Sequence, residues 1–298
     1  MVKTLSAAVL SVVLAAMVHT PAQAAAPNSC SIDVGSFTAA GNQRLQSLSA
    51  TSPPRRFLDQ TLAEKVLPMA QVRMSGPIFV DTDAVPPMNA SGNLVIGSAL
   101  YRFTYKLPQD GTPTPYDVKL SRIGGGWDRF VAYESAKSPN GTRHYEYALR
   151  NDGTLFRWST NSTGLAWTAL GTTPGFGAVK AMTVISETSS YDTLLMNTRG
   201  GALYTVRIPV AKTMRPVVTK VRASTWQGFE TLLTARCGQY GTLLVGIDKD
   251  TGNAYEYAVG HAAGTSTVIQ SHYRVPSPFT DPIHFRSLTT DTPPLNGE

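Results

Sequence analysis

Several stretches of this sequence have residue types and spacings that chemistry could use. Residues 122–127 read RIGGGW and run on into Asp128, Arg129 and Phe130; three glycines before a tryptophan suit a phosphate cradle, a tight turn or a ligand shelf. The phosphate reading needs a helix whose positive end faces the anion, and no helical pattern follows. Residues 248–253, DKDTGN, resemble the opening of an oxygen-rich calcium loop but lack the closing glutamate of an EF-hand, and Gly252-Asn253 suits a hairpin turn. His144, His261, His272 and His284 stand at neither HExxH nor HxH spacing, so no metal site and no cofactor are expected. Carboxylates are mostly isolated, with no Gly-x-Ser-x-Gly elbow and no Walker loop, and the expectation is a protein that is not an enzyme. Residues distant in sequence can still meet in a fold, so a hydrolase or lyase with its site in a central channel stays open.

The chain opens with Lys3, an apolar run from about Leu5 to Val18 and small residues ending in AQA, the layout of a secretory signal peptide over residues 1–25. The run is shorter than the roughly 20 residues that span a bilayer, so secretion without stable membrane insertion is expected. The formal net charge of +6 is spread thinly, Arg55-Arg56 being the largest basic cluster, which argues against nucleic acid as a partner. Cys30 and Cys237, in a chain bound for an oxidising compartment, pair naturally as a disulfide, with two unpaired buried thiols as the alternative. Closing a loop of that length would restrain the unfolded chain by roughly 4 to 5 kcal/mol.

Past residue 75 the sequence alternates short runs rich in Val, Tyr, Thr, Leu and Phe with Gly, Pro, Asn, Asp and Ser clusters, the mark of many short strands. The only helical candidate is 55–67, where Phe57, Leu58, Leu62 and Val66 fall at roughly helical spacing. Self-comparison shows a beat. Tyr101, Phe156, Tyr204 and Tyr255 are spaced 55, 48 and 51 residues apart, the last three preceded by hairpin glycines Gly153, Gly201 and Gly252. Phe79, Phe130, Val179 and Phe229 repeat at 51, 49 and 50. A period near 50 with four strands per unit predicts an all-β chain, a five-bladed β-propeller of four-stranded antiparallel blades. The C-terminal IHFRSLTTD reads as a first strand lacking its followers, which the N-terminal segment supplies, so the last blade is closed by both ends of the chain. The expected blades are 76–125, 126–175, 176–225, 226–278, and 279–298 joined with 28–75, forming one domain over 28–298.

An aromatic recurs at the entry to the first strand of a blade, at Trp127, Phe176, Trp226 and, less regularly, Phe279, while the first blade has none. Such rings pack between blades or stack on the C–H face of a sugar, with glycines admitting close approach of the ligand. The run RIGGGWDRFVAYES followed by YEYALRNDGTLFRW resembles the repeat of the tachylectin-type five-bladed propeller lectins, in which Gly-Gly-Trp-x-x-Phe opens a strand before a Gly-x-Leu-Tyr hairpin strand. Gly125, Gly126, Trp127 and Phe130 match that motif, and Trp226 with Phe229 is a partial second copy. The resemblance implies sites for N-acetylated sugars between blades, without metal or catalysis. The expectation is a secreted, non-catalytic carbohydrate-binding protein that meets cell-surface glycans through Gly125, Gly126, Trp127, Asp128 and Trp226. The alternatives are an extracellular scaffold for another exported protein and a polysaccharide-acting hydrolase or lyase.

Overall fold

The computed structural model describes residues 30–67, 72–83, 88–108, 110–211 and 213–298. The expected signal peptide, 1–25, lies outside the described residues. Strands β1 (Ser31–Phe37), β2 (Gln43–Ser49) and β3 (Arg55–Ala63) come first. Then follow β4 (Val72–Asp81), β5 (Met88–Ile96), β6 (Ala99–Leu107) and β7 (Tyr116–Gly125). The next set is β8 (Phe130–Lys137), β9 (His144–Arg150), β10 (Leu155–Thr160) and β11 (Trp167–Thr173). It is succeeded by β12 (Val179–Glu187), β13 (Tyr191–Thr198), β14 (Leu203–Pro209) and β15 (Val217–Arg222). Last come β16 (Thr231–Cys237), β17 (Gly241–Ile247), β18 (Ala254–Val259), β19 (Ile269–Arg274) and β20 (Ile283–Thr289). Among the described residues there is no α-helix, only a 3-10 turn at Trp127–Arg129.

Strands β8 to β11, β12 to β15 and β16 to β19 form three four-stranded antiparallel sheets. The remaining strands form one mixed sheet in the order β3-β2-β1-β20-β4-β5-β6-β7, whose single parallel pair, β20 with β4, divides it into two antiparallel units. The arrangement is propeller-like, with β4, β8, β12 and β16 standing side by side as inner strands. β1 pairs along Val34–Phe37 with β20, so the two ends of the chain share one ladder.

Apolar residues alternate along the strands and fill the spaces between units rather than one central core. Leu149 and Leu155 meet Val184, Leu194 and Met196 in one such layer; Leu195 and Leu203 meet Leu232 and Leu244 in the next. Buried polar bonds pin the same layers. Tyr105 donates to Gln43 at 3.0 Å, and the Asn197 amide donates to the carbonyls of Trp226 (2.7 Å) and Phe229 (2.8 Å). Arg143 forks onto the fully buried Asp192, which also accepts from Tyr147 at 2.8 Å.

Two local expectations are corrected. The helical candidate is the strand β3, paired along its length with β2; Phe57 lies exposed, and Asp59 bonds Arg44 across the ladder at 2.5 Å. The open edge of β2 decided its conformation over a weak apolar period. Phe79 does not open a strand as Phe130 does. Register shifts between Ser75 and Ile78 lengthen β4 at its start, so this unit begins at Val72 and Phe79 falls in its second half.

A disulfide joins Cys30, just before β1, to Cys237 at the end of β16, across a separation of 207 residues. Replacing both cysteines by alanine is expected to cost roughly 4 to 5 kcal/mol, read as a lower midpoint in denaturant melts under non-reducing conditions. A double variant as stable as the parent would show that the bridge restrains nothing in the unfolded chain.

Candidate functional site

The aromatics that open the units share one backbone device. The N–H of Phe176 donates to the carbonyl of Gly153 at 2.9 Å, that of Trp226 to Gly201 at 3.0 Å and that of Phe279 to Gly252 at 2.7 Å. In the remaining case Trp127 donates to Ser98 at 2.9 Å. The three glycines adopt positive φ, and a Cβ at Gly153 would lie 2.3 Å from the amide nitrogen of Gly177, so the hairpin and the strand opening touch at their backbones. Gly126, at φ +79, makes the last turn before Trp127.

The expected ligand platform is therefore sealed. Trp127 is 6% exposed and Trp226 5%. The Trp127 ring lies 4.6 Å from Phe130, 5.7 Å from Tyr133, 5.9 Å from Trp158 and 6.1 Å from Trp167, while Trp226 meets Tyr257 at 4.9 Å. Burial of such large apolar surface outweighs any gain from holding the rings in solvent. Gly125, Gly126 and Asp128 are exposed, but without an open ring beside them they form no shelf.

What the fold brings together is a funnel at the end of the channel where the inner strands begin. Its walls carry Arg73 from β4, Tyr133 and Glu134 from β8, Lys180 from β12, Glu230 and Lys249 flanking β16 and β17, and Arg286 from β20. Lys180 pairs with Glu230, whose other carboxylate oxygen accepts the backbone N–H of Lys249 at 2.9 Å. Deeper down, Arg286 donates to Glu134 at 2.9 Å and to the Ser135 carbonyl at 3.0 Å. Thr183 reaches Glu134 at 3.4 Å and Thr234 at 3.1 Å, and Thr234 donates to the Val184 carbonyl. Glu134, Thr183, Thr234 and Arg286, from four inner strands, thus make a polar belt across the channel. Burial pushes the Glu134 carboxyl above its ordinary range, against the pull of Arg286. Glu134 and Glu230 are two carboxyls in unlike settings facing one opening, a pairing suited to proton transfer.

Behind the wall, the Tyr133 hydroxyl donates to Glu146 at 2.6 Å and accepts from Asn93 at 3.0 Å; burial pushes Glu146 up to about 8. The opposite end of the channel holds a cavity of about 570 Å³ walled in part by residues 290–295. There the Glu187 carboxylate accepts the backbone N–H groups of Lys137 (3.0 Å) and Leu295 (3.4 Å), so it anchors chain rather than facing a ligand. Residues 248–253 form a hairpin turn in which Asp248 accepts the amides of Asp250 and Thr251. Among the described residues, no cluster of three or more metal-ligating side chains occurs.

No family model matches the sequence, and no curated protein matches it. Among solved structures, the α-L-arabinofuranosidase PaAbf62A from Podospora anserina is similar at 11% identity and TM-score 0.48, over 76% of this chain and 80% of that one. The catalytic domain of the Coprinopsis cinerea GH62 α-L-arabinofuranosidase gives 13% and 0.48 with the same coverage. The fucose-specific lectin from Aleuria aurantia gives 10% and 0.47 over 82% of this chain and 78% of that one. Likeness of this degree carries no activity. Glycoside hydrolases and a lectin both stand among these similar structures. The expectation of a non-catalytic carbohydrate-binding protein, and with it the expectation that the chain is not an enzyme, is corrected by the structure itself: the rings on which sugar binding rested are buried, and the funnel gathers carboxyls and cations instead.

Two outcomes follow from this packing. Trp127→Ala is expected to destabilise the fold by about 3 to 5 kcal/mol, since it empties a layer rather than a ligand shelf; a change below 1 kcal/mol in a denaturant melt would contradict that. His284 is 93% buried with neither ring nitrogen bonded, and burial lowers it to about 4. It stays neutral in the fold while the unfolded chain protonates it, so its contribution is whole above about pH 6.5 and lost as pH falls to about 4, up to about 3 kcal/mol. Wild-type stability relative to His284→Leu should fall by up to that amount over the window as pH drops; a constant difference would count against it.

Proposed function

We propose that the protein is a polysaccharide-acting enzyme, a hydrolase or lyase, with its site in the channel funnel. The observation that carries this is the pair of carboxyls, Glu134 and Glu230, in unlike settings on the wall of one opening. Glu134, paired with Arg286 at rest and pushed up by burial, delivers a proton to the leaving oxygen in its protonated form. Glu230, held by Lys180 at the rim, is the base that takes a proton from the attacking water in hydrolysis, or from a ring carbon in elimination. Arg286 fixes the orientation of Glu134 from the far wall.

The framework we propose for it is a five-bladed ring. Apolar layers between each pair of successive units, including Phe37 and Phe285 against Leu94 and Phe103, support this count. The β1–β20 ladder and the disulfide support closure by the two ends of the chain. Blades near 76–125, 126–175, 176–225 and 226–278, with 279–298 joined to 28–75, follow, the first starting a few residues earlier at Val72. The tachylectin-like opening motif supports the ring rather than a sugar site. The disulfide supports export, and among the described residues no helix is long and apolar enough to cross a membrane.

The test is a panel of plant and microbial polysaccharides scored for new reducing ends and for unsaturated products. Glu230→Gln, at the half-exposed rim, is expected to lower kcat/KM by about 100-fold or more with an unchanged melting curve. Glu134→Gln should do the same, with some loss of stability because Arg286 loses its charged partner. Turnover that survives both substitutions, or none on any polymer, would overturn the reading.

A further inference from the structure

The funnel carries more positive than negative charge. Its lining has four cationic side chains, Arg73, Lys180, Lys249 and Arg286, against the two carboxyls Glu134 and Glu230. Arg286 is matched with Glu134 and Lys180 with Glu230. Arg73 is exposed and spends its guanidinium on carbonyls alone: Gly97 at 3.2 Å, Trp127 at 3.1 Å and Asp128 at 3.2 Å. Lys249 is also exposed, and among the described residues its ammonium forms no ion pair; Glu230, the acid whose charge it feels, is already engaged by Lys180. Asp248 and Asp250 neighbour Lys249 in sequence but do not line the funnel. His284, which also lines the funnel, is neutral near pH 7.

Two unmatched cations thus sit on the rim of a cleft, on β4 and on the turn after β17. Their elements are held in place by bonds that do not consume the charge. A cleft of one net sign concentrates ligands of the other, and a guanidinium already fixed by carbonyls loses little freedom on meeting an anion. A neutral sugar chain would leave both cations unanswered.

We propose that the chain acted on in the funnel is an anionic glycan, its carboxylate or sulfate groups met by Arg73 and Lys249. This rests on the enzyme reading only for what happens after binding. Arg73 offers its remaining donors to the anionic group, and Lys249 draws the next charged residue of the glycan across the rim toward Glu230. Binding is strongest at low ionic strength, where exposed charges are least screened.

The experiment is equilibrium binding of the full chain to polygalacturonate, dextran sulfate and neutral dextran of matched size at two salt concentrations. Expected is binding of a polyanion at least tenfold tighter than of neutral dextran, weakening as salt rises. Preference between the two polyanions assigns carboxylate or sulfate. Arg73→Gln with Lys249→Met should weaken it about tenfold or more, roughly what one lost charge-assisted contact is worth. A control pair, Lys65→Gln with Lys119→Gln, removes the same charge from exposed sites outside the funnel and should leave binding unchanged. Equal weakening by both pairs, or a preference for neutral dextran, would overturn the proposal. Polyanion bound through the rim but never cleaved would sink the enzyme reading and leave this one standing. A neutral polymer cleaved by the wild type and spared by Glu230→Gln would do the reverse.

Discussion

The structure depends on a repeated backbone bond, from the amide of an aromatic residue at the start of one unit to the carbonyl of a hairpin turn in the unit before it. That bond plants the ring between two sheets and fixes where the next inner strand begins. It requires the hairpin residue to come within van der Waals reach of the strand opening, which is why a glycine of positive φ stands at Gly153, Gly201 and Gly252. Where Ser98 accepts instead, Gly97 supplies the positive φ one residue earlier. The ring then anchors the apolar layer and the backbone bond sets its height, so successive inner strands present equivalent residues at equivalent depth.

Equivalent depth is what allows a polar belt in an otherwise apolar interior. Glu134, Thr183, Thr234 and Arg286 come from four different strands, yet they meet within hydrogen-bonding distance. A buried ion pair repays its desolvation only when the remaining lone pairs are answered, and here threonine hydroxyls and the Ser135 and Val184 carbonyls provide part of that answer. The belt divides the channel into a shallow charged funnel and a larger cavity on the other side. On the far side the Glu187 carboxylate is spent on backbone amides.

Much of this was legible as a beat. The spacing near 50 found the third strands through Tyr101, Phe156, Tyr204 and Tyr255, which lie on β6, β10, β14 and β18. The same beat also held the belt: Glu134, Thr183 and Thr234 are 49 and 51 residues apart, and Arg286 follows after 52. The beat alone does not say which residue in each repeat faces the channel, since strand register decides that and one bulge moves it. A bulge is also why Phe79 was misaligned. The residues 55–67 misled because an apolar period read without the partner strand ignores the strongest demand on that segment, the open edge of β2. Trp127 misled differently: a motif tells which residue stands at a junction, whereas its exposure is set by Trp158 and Trp167, which come from later strands of the same unit.

The ladder between β1 and β20 has a consequence for how the chain comes into being. Val34 and Arg286 are about 250 residues apart, so the first strands synthesised wait for the last before their edge is covered. Such pairing raises contact order, and loop closure must be met before the ladder returns anything. The other units can assemble from neighbours as they emerge, but β1 to β3 cannot reach their final sheet until β20 is made. A chain built this way keeps one unit unfinished until its last strand is made.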